Sequence, residues 1–284
     1  MGNYDLMDTE RFPVLQQDDE IYSEDGRAVS EEEYWEKYYE HPDFNYEWNN
    51  GILEEVPVSD YVNIEMYVWF EQLISLYFQT YPIGKIVKLE FGFRLALPGN
   101  VSIRKPDLAV VLNNNIIRLD HEDRTFYGTY DLCVELISDL TAKAIKRDTV
   151  AKKGEYEAIG VREYYILDAS NEHMVFYSLN EKNIYKPITP YKHDIIRSGI
   201  LPGFQFRFSH LFTRPSVKEL AENPVYQGFI LPFYTETKLR AENAEKRAEI
   251  ERLRVEQERI RADIAEERAN RLAAKLKSLG ISID

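Results

Sequence analysis

The chain of 284 residues carries a formal net charge of −14, with 44% hydrophobic and 13% aromatic residues. That apolar content is enough to build a core and excludes a disordered protein. The acidic balance argues against the broad basic surface that dominates nonspecific DNA binding, but it is compatible with a local basic cleft or with a carboxylate site for a divalent cation.

Redox and targeting features are sparse. The single cysteine, Cys133, lies in an apolar segment and cannot form an internal disulfide, and no Cys/His cluster has the spacing of zinc ligands. The N-terminus lacks a basic region followed by an apolar core, and no run approaches the roughly 18 apolar residues that a membrane helix needs. We therefore expect a cytoplasmic protein without membrane segments.

The N-terminal part begins with an acidic, aperiodic stretch, and we expect residues 1–29 to form an extended arm. A helix is predicted from Ser30, whose hydroxyl can cap it with Glu33 at capping-box spacing, and the helix stops before Pro42. The next segment, NYEWNNGILEEVPV, predicts a hairpin with its turn at Asn49-Asn50-Gly51.

The middle of the chain alternates between helix and strand signals. Residues 63–79 have the length and the all-round apolar character of a buried helix. Residues 85–97, KIVKLEFGFRLAL, alternate as one strand and are followed by a turn at Gly99-Asn100. A short apolar strand, PDLAVVL, occupies residues 106–112.

A strand, a helix and a further strand then follow in succession. Residues 130–137, YDLCVELI, predict a buried strand; residues 141–159 predict a helix ended by Gly160; and residues 161–170, VREYYILDAS, predict the next strand. This βαβ-like unit among hairpin signals predicts an α/β domain over residues 30–212, with a mixed β-sheet flanked by helices.

The C-terminal part changes composition abruptly. We expect a connector at residues 213–235 and a long helix at residues 236–279, rich in Glu, Arg, Lys, Ala and Leu. Its apolar residues approximate coiled-coil spacing with one break, if Gln257 takes one core position: the first set is Ile250, Leu253, Ile260 and Ile264, and the second, shifted by one position, is Leu272, Leu276 and Leu279. The predicted use is a homodimer through this helix, and the alternative is a solvated single helix with many opposite-charge pairs.

Glu135 is the most informative residue, because the strand around it leaves no polar face for a carboxylate. An ionised carboxyl group removed from water is costly unless a cation, a metal ion or strong donors compensate it. We expect Glu135 to act with three residues, which are Glu47 on the first hairpin, Asp107 at a strand start and Lys152 on the next helix. Two carboxylates on adjacent strands can bind Mg²⁺, and a lysine can orient a water or stabilise a transition state. This set is the minimal equipment for hydrolysing a phosphodiester.

The same residues carry a family resemblance. Asp107 in KPDLAVVL, Glu135 in DLCVELIS and Lys152 in RDTVAKKGEYEAIGVREYYILD, with YEWNNGILEEVPVS, resemble the Uma-two family of endonucleases, abundant in cyanobacteria and part of the PD-(D/E)XK superfamily. The resemblance implies a restriction-endonuclease-like fold and an endodeoxyribonuclease that uses Mg²⁺ or Mn²⁺ to cleave DNA. It also implies Asp107 and Glu135 as metal ligands and a catalytic set completed by Lys152 and Glu47.

Two features depart from the family pattern. The plain superfamily motif has a lysine two residues after the glutamate, where this chain has Ile137, so Lys152 takes that place and Lys153 could compensate for it. The family often has a histidine before the long helix, and none lies between Pro57 and Trp69. We therefore expect no histidine-assisted step.

Each candidate also has a structural alternative, including Glu47, which lies in an aromatic hairpin. Asp107 could be a turn residue, and Glu135 could be a structural carboxylate paired with an arginine. Lys152 could be a solvated helix lysine. The second hypothesis is a non-catalytic scaffold that keeps a nuclease-like fold and oligomerises through its C-terminal helix, and the geometry around Glu135 discriminates between the two. No motif for nucleotide binding, serine hydrolysis or base reading is visible, so the recognition sequence stays open.

Overall fold

The structure is a computed structural model and describes residues 22–88, 90–137 and 141–278. Most of the predicted arm at residues 1–29 lies outside these ranges, as does Leu279 of the predicted helix. The chain divides after Pro215 into two compact units. No helix within the described ranges is long and apolar enough to span a membrane.

The described residues form twelve β-strands and seven α-helices, two of which continue into π-helical turns. In chain order the strands are β1 (Tyr46–Asn49), β2 (Ile52–Glu55), β3 (Gly84–Lys88), β4 (Phe93–Leu97), β5 (Asn100–Arg104), β6 (Leu108–Leu112), β7 (Leu132–Leu136), β8 (Glu163–Leu167), β9 (Val175–Leu179), β10 (Tyr185–Pro187), β11 (Ile195–Arg197) and β12 (Gln205–Arg207). The helices are α1 (Glu31–Glu33), α2 (Tyr61–Thr80), α3 (Ala142–Lys146), α4 (Lys153–Ile159), α5 (His210–Thr213), α6 (Val217–Glu222) and α7 (Gln227–Ser278). The π-helical turns are Tyr34–Tyr38 after α1 and Arg147–Lys152 between α3 and α4.

A six-stranded mixed sheet is the centre of the first unit, with strand order β10-β9-β8-β7-β6-β3. Strands β7 and β8 are parallel and are connected through α3 and α4, whereas the other neighbours are antiparallel. Both parallel strands are buried along their whole length, which is typical of strands covered on both faces. The predicted α/β class, mixed sheet and βαβ unit are confirmed.

A four-stranded antiparallel sheet, in the order β2-β1-β5-β4, contains the predicted first hairpin. Its turn residues Asn50 and Gly51 have φ angles of 48° and 94°, the positive values that an Asn-Gly turn requires. An aromatic cluster that includes Tyr34, Tyr46 and Trp48 packs the hairpin against the first helical segment. This packing fixes β1, the strand that carries a predicted site residue.

The prediction of one strand over residues 85–97 is wrong. The segment forms β3 in the central sheet and β4 in the smaller sheet, with Glu90 between them at a φ of 62°. The chain passes very close to its surroundings at Gly92, where a Cβ would lie 3.0 Å from the carbonyl oxygen of Arg104 and 3.1 Å from the Tyr39 ring. Both halves alternate in hydrophobicity, so periodicity alone did not reveal the break.

The crossover helix predicted over residues 141–159 is confirmed in its extent and differs in its geometry. The Thr141 hydroxyl accepts a hydrogen bond from the Ala144 amide at its start, and Gly160 ends it with a φ of 89°. Its centre is the π-helical turn Arg147–Lys152, a wider turn that often occurs at functional sites. This turn carries the predicted lysine.

The second unit contains α6 and the 52-residue helix α7. Helix α7 begins at Gln227, nine residues before the predicted start, so the predicted connector at residues 213–235 is too long. Pro232 lies inside α7. A proline in a helix removes a backbone hydrogen bond, which is why the sequence pattern favoured a later start.

Candidate active site

Lys152 is the centre of the site. It is buried, and its Nζ lies 2.8 Å from Glu135 Oε2, 3.0 Å from Glu47 Oε1 and 3.5 Å from Asp148 Oδ1. Burial alone would lower the pKa of this ammonium group, but Glu135 and Glu47 raise it above its usual value. Lys152 is therefore a protonated lysine held among three carboxylates, and its alternative as a solvated helix lysine is wrong.

Glu135 is held from two sides within β7. Lys152 Nζ donates to Oε2, and the Tyr156 hydroxyl donates to Oε1 at 2.7 Å. Burial raises the pKa of Glu135 to about 8, because the attraction of Lys152 is opposed by the nearby carboxylates of Asp107 and Asp148. Its partners are a lysine and a tyrosine, so the pairing with an arginine that would favour a purely structural role does not occur.

Asp107 lies immediately before β6, next to β7. The register pairs Leu108 with Val134, which places Asp107 at the level of Glu135 on the neighbouring strand. Its Oδ2 accepts a hydrogen bond of 2.7 Å from the Leu136 amide, and burial raises its pKa to about 6. Asp107 and Glu135 line the same cavity, whose volume is about 380 Å³.

Glu47 on β1 completes the four predicted residues and is fully buried. Burial alone would raise its pKa, but Lys152 and Arg104 hold the pKa of Glu47 at about 2. The Lys105 amide also donates to Glu47 Oε1 at 2.8 Å. Glu47 is thus an ionised partner that holds Lys152 beside Glu135.

Arg104 was missed by the sequence analysis although it organises this cluster. It is buried at the end of β5, forms a two-pronged pair with Glu155 at 2.7 Å and 2.9 Å, and donates to Glu47 Oε2 at 3.1 Å. A buried arginine needs several acceptors, and the guanidinium fork can serve them together. The only sequence signal was an arginine in a strand three residues before Asp107.

Asp148 and Arg147 were also missed. Asp148 precedes Lys152 by four residues on the same helical face, a spacing that sequence analysis could have recognised as an ion pair. Arg147 Nε donates to Asp148 Oδ1 at 3.0 Å, and Arg147 Nη1 donates to the Glu55 carbonyl oxygen at 3.0 Å. The crossover helix is tied in this way to the first hairpin.

Two neighbours named in the sequence analysis lie elsewhere. Lys153, which could compensate for Lys152, places its Nζ 5.1 Å from the centroid of the Tyr177 ring. Ile137, which stands where the plain motif has lysine, packs in the main hydrophobic core. Of the three residues Ile137, Lys152 and Lys153, therefore, Lys152 is the one that pairs with Glu135.

The donor chemistry of the cluster fits a hard divalent cation. Within the described ranges no three His, Cys, Asp or Glu side chains form a ready-made metal cage, so a cation here would bind Asp107, Glu135, a main-chain carbonyl near Leu136 and water. Burial raises the pKa of both Asp107 and Glu135, and a cation bound to these two carboxyl groups would favour their ionised forms.

Comparisons with known proteins agree with this architecture. A solved structure described as a putative nuclease belonging to DUF820, from Anabaena variabilis ATCC 29413, matches with a TM-score of 0.51 at 13% sequence identity, covering 66% of this chain and 98% of that chain. The family model Uma2, described as "Putative restriction endonuclease", matches residues 31–209. No curated protein gives a significant match.

The fold is therefore restriction-endonuclease-like, and a long C-terminal helix follows it in the chain. The family model covers more than half of the sequence, and the chain belongs to the Uma2 family. The resemblance stated from the sequence motifs is confirmed.

Proposed function

We propose that this protein is a Mg²⁺-dependent endonuclease that hydrolyses phosphodiester bonds in DNA. The observation that carries the proposal is that Asp107 and Glu135 line one cavity from neighbouring strands, while the buried, protonated Lys152 contacts both Glu135 and Glu47. Membership of an endonuclease family supports the reaction class.

Asp107 and Glu135 are the proposed metal ligands. Mg²⁺, or Mn²⁺ in its place, supplies Lewis-acid polarisation of the scissile phosphate and lowers the pKa of a bound water. The Leu136 amide orients the Asp107 carboxylate through its hydrogen bond, and Tyr156 orients Glu135 in the same way. Both carboxylates are therefore held in position by groups that do not themselves react.

Lys152 is proposed to orient the attacking water and to stabilise the negative charge that develops on the phosphate. Its raised pKa keeps the ammonium protonated, so it acts as a hydrogen-bond donor and a charge, and not as the base. Glu47 holds Lys152 in place, and Arg104 holds Glu47.

Metal binding tests this proposal directly. We expect Mg²⁺ or Mn²⁺ to give a calorimetric binding signal with the wild type, measured alone and with a short DNA duplex, because many such sites bind metal tightly only with substrate. The signal should disappear in Glu135→Gln, which removes one anionic ligand. Glu163→Gln is the matched control, since Glu163 is a buried glutamate on the adjacent strand β8 that binds Tyr165 and Ser198.

Equal metal binding in Glu135→Gln and the wild type would place the metal elsewhere and contradict the ligand assignment. A wild type that binds no metal with or without DNA would favour the scaffold hypothesis.

We also propose that α7 joins two copies of the chain as a homodimer. Its apolar side chains at coiled-coil spacing are exposed, for example Ile250, Leu253 and Ile260, which are 66%, 57% and 49% exposed. An apolar seam on an otherwise charged helix gains stability when a second helix covers it. Two subunits would bring two active sites to two DNA strands.

Oligomeric state tests this second proposal. We expect light scattering after size-exclusion chromatography to give twice the chain mass for the wild type, and the single chain mass for Leu253→Asp, which puts a charge into the apolar seam. Glu251→Asp, a conservative change two residues away, is the control and should stay dimeric. A monomeric wild type at micromolar concentration would support the solvated single helix instead.

A further inference from the structure

The cavity beside Asp107 and Glu135 has an apolar wall. One side of it is built from the β2–α2 connection and from the first turns of α2, and the other side holds the carboxylates. The apolar residues that line it are Val56, Pro57, Val58, Ile64, Tyr67 and Val68. Val58 and Val68 are 90% and 53% exposed, so their side chains are open to a ligand. The wall is continuous with the proposed active site, because all of these residues line the cavity that the two carboxylates line.

The cationic residues at the cavity have protein partners. Lys105 is buried, and its Nζ donates to the Tyr39 carbonyl oxygen at 2.7 Å and to Asn45 Oδ1 at 3.2 Å. Arg147 donates to Asp148 and to the Glu55 carbonyl oxygen. Both side chains are therefore already paired and are not available to bind backbone phosphates, which supply most of the affinity of proteins for duplex DNA.

The Ser59 hydroxyl adds an unsatisfied polar group to this apolar wall. Its oxygen is buried and has no hydrogen-bond partner, a condition shared with only one other side-chain atom in the described part of the chain. Buried hydroxyl groups normally have a partner, since leaving one unpaired costs free energy. Ser59 lines the same cavity, and its side chain would have to turn toward the cavity to pair the hydroxyl with a hydrogen-bonding atom of a ligand.

A nucleobase is chemically complementary to this cavity. It presents an apolar face to valine, proline and tyrosine side chains and hydrogen-bonding atoms at its edge. The cavity volume of about 380 Å³ lies within the range of about 300–1,000 Å³ that is typical of small-ligand sites, enough for one nucleoside unit. The two cationic side chains at the cavity are already paired, so phosphate contacts there add little affinity, and apolar contacts with the face of a base would add affinity in their place.

We infer that the enzyme takes one unstacked base of its substrate strand into this cavity and therefore acts on single-stranded DNA in preference to continuous duplex. The inference rests on the proposed nuclease function and names its substrate class. A base inside a duplex must be unpaired and unstacked before it can enter such a cavity, whereas a base in a single strand pays little of that cost. The preference for single-stranded DNA is thus attributed to the apolar wall that contacts the base, and not to the carboxylates Asp107 and Glu135.

Binding and cleavage of matched substrates test the inference. The probe is a fluorescein-labelled mixed-sequence oligonucleotide of about 15 nucleotides, within the length of a single-strand site, used alone and annealed to its complement. Fluorescence anisotropy in Ca²⁺ measures binding, and gel analysis in Mg²⁺ or Mn²⁺ measures cleavage. Val68→Ser removes part of the apolar wall. Val62→Ser is its matched control, because Val62 lies on the same helix, is 48% exposed and is not among the cavity residues.

We expect the single strand to bind more tightly and to be cut at least about 10-fold faster than the duplex, because the duplex must first be opened. Val68→Ser should weaken single-strand binding by about 3- to 10-fold, the effect of losing a small apolar contact, and Val62→Ser should leave it unchanged.

The outcomes separate the inference from the function on which it rests. Cleavage of the duplex as fast as the single strand, or equal binding by Val68→Ser and Val62→Ser, would overturn the inference and leave the nuclease proposal standing. Failure to cleave either substrate with either metal would overturn the nuclease proposal, and the inference with it.

Discussion

Glu135→Gln is expected to abolish metal-dependent DNA cleavage while the fold is kept. The substitution removes one of two anionic metal ligands, and we expect the cleavage rate to fall by about 10³-fold or more, since the metal supplies several kcal/mol of transition-state stabilisation. The fold should tolerate it, because the Gln oxygen can accept from Lys152 while its NH2 group donates to the Tyr156 hydroxyl oxygen, and Lys152 keeps Glu47 and Asp148 as partners. The free energy of unfolding should change by about 1 kcal/mol or less.

Plasmid nicking and linearisation in Mg²⁺ and in Mn²⁺ measure the rate, and urea denaturation measures the fold. Glu163→Gln serves again as the control, because it makes the same chemical change in a buried glutamate outside the cluster. Cleavage retained by Glu135→Gln at a rate near that of the control would remove Glu135 from the active site and overturn the assignment of the metal ligands.

Lys152→Met is expected to destabilise the protein strongly as well as to inactivate it. Glu47, Glu135 and Asp148 all lie within 3.5 Å of the Lys152 ammonium, and burial keeps water from replacing it. Removing one partner of a buried charge cluster leaves the others uncompensated, which costs about 3–5 kcal/mol. Urea denaturation followed by circular dichroism measures this loss, and the plasmid assay should show no cleavage above background.

Lys153→Met is the matched control for this substitution. It removes the neighbouring lysine, whose ammonium lies over the Tyr177 ring, and a contact of this kind at a partly exposed site contributes about 1 kcal/mol or less. Lys152→Met could be too unstable to purify. In that case the double variant Lys152→Met with Glu135→Gln also removes one of the uncompensated carboxylates, and it should recover part of the stability. Equal stability of the Lys152 and Lys153 single variants would show that the cluster does not depend on Lys152.

Much of the fold could be predicted because its signals are local. The Asn-Gly turn requires positive φ values that few other residues adopt, the buried strands β6 and β7 are continuous apolar runs, and Gly160 marks the end of the crossover helix. The errors arose where tertiary contacts overrode a local pattern. The chain divides residues 85–97 between two sheets, and Gly92 near the break packs closely against Tyr39 and Arg104; neither contact is visible in the alternation of side chains.

The candidate site was predictable in part for a different reason. An ionisable residue inside an apolar strand requires compensation, so Glu135 could be recognised from its surroundings alone, and the spacing of the family motif added Asp107 and Lys152. Arg104 escaped notice because an arginine near the end of a strand is usually solvated. Its burial depends on Glu47 and Glu155, which are more than fifty residues away from it in either direction.

The sequence by itself determined the class of the fold, the family and the identity of the four candidate residues, because hydrophobic periodicity, turn residues and motif spacing are all properties of short segments. Only the tertiary structure decided how those residues act on one another. It brought Lys152 into contact with both Glu47 and Glu135 through a π-helical turn, and it surrounded them with Arg104, Asp148 and Tyr156. Charge compensation depends on distances between elements that are remote in sequence, and burial by the whole fold sets the strength of each interaction.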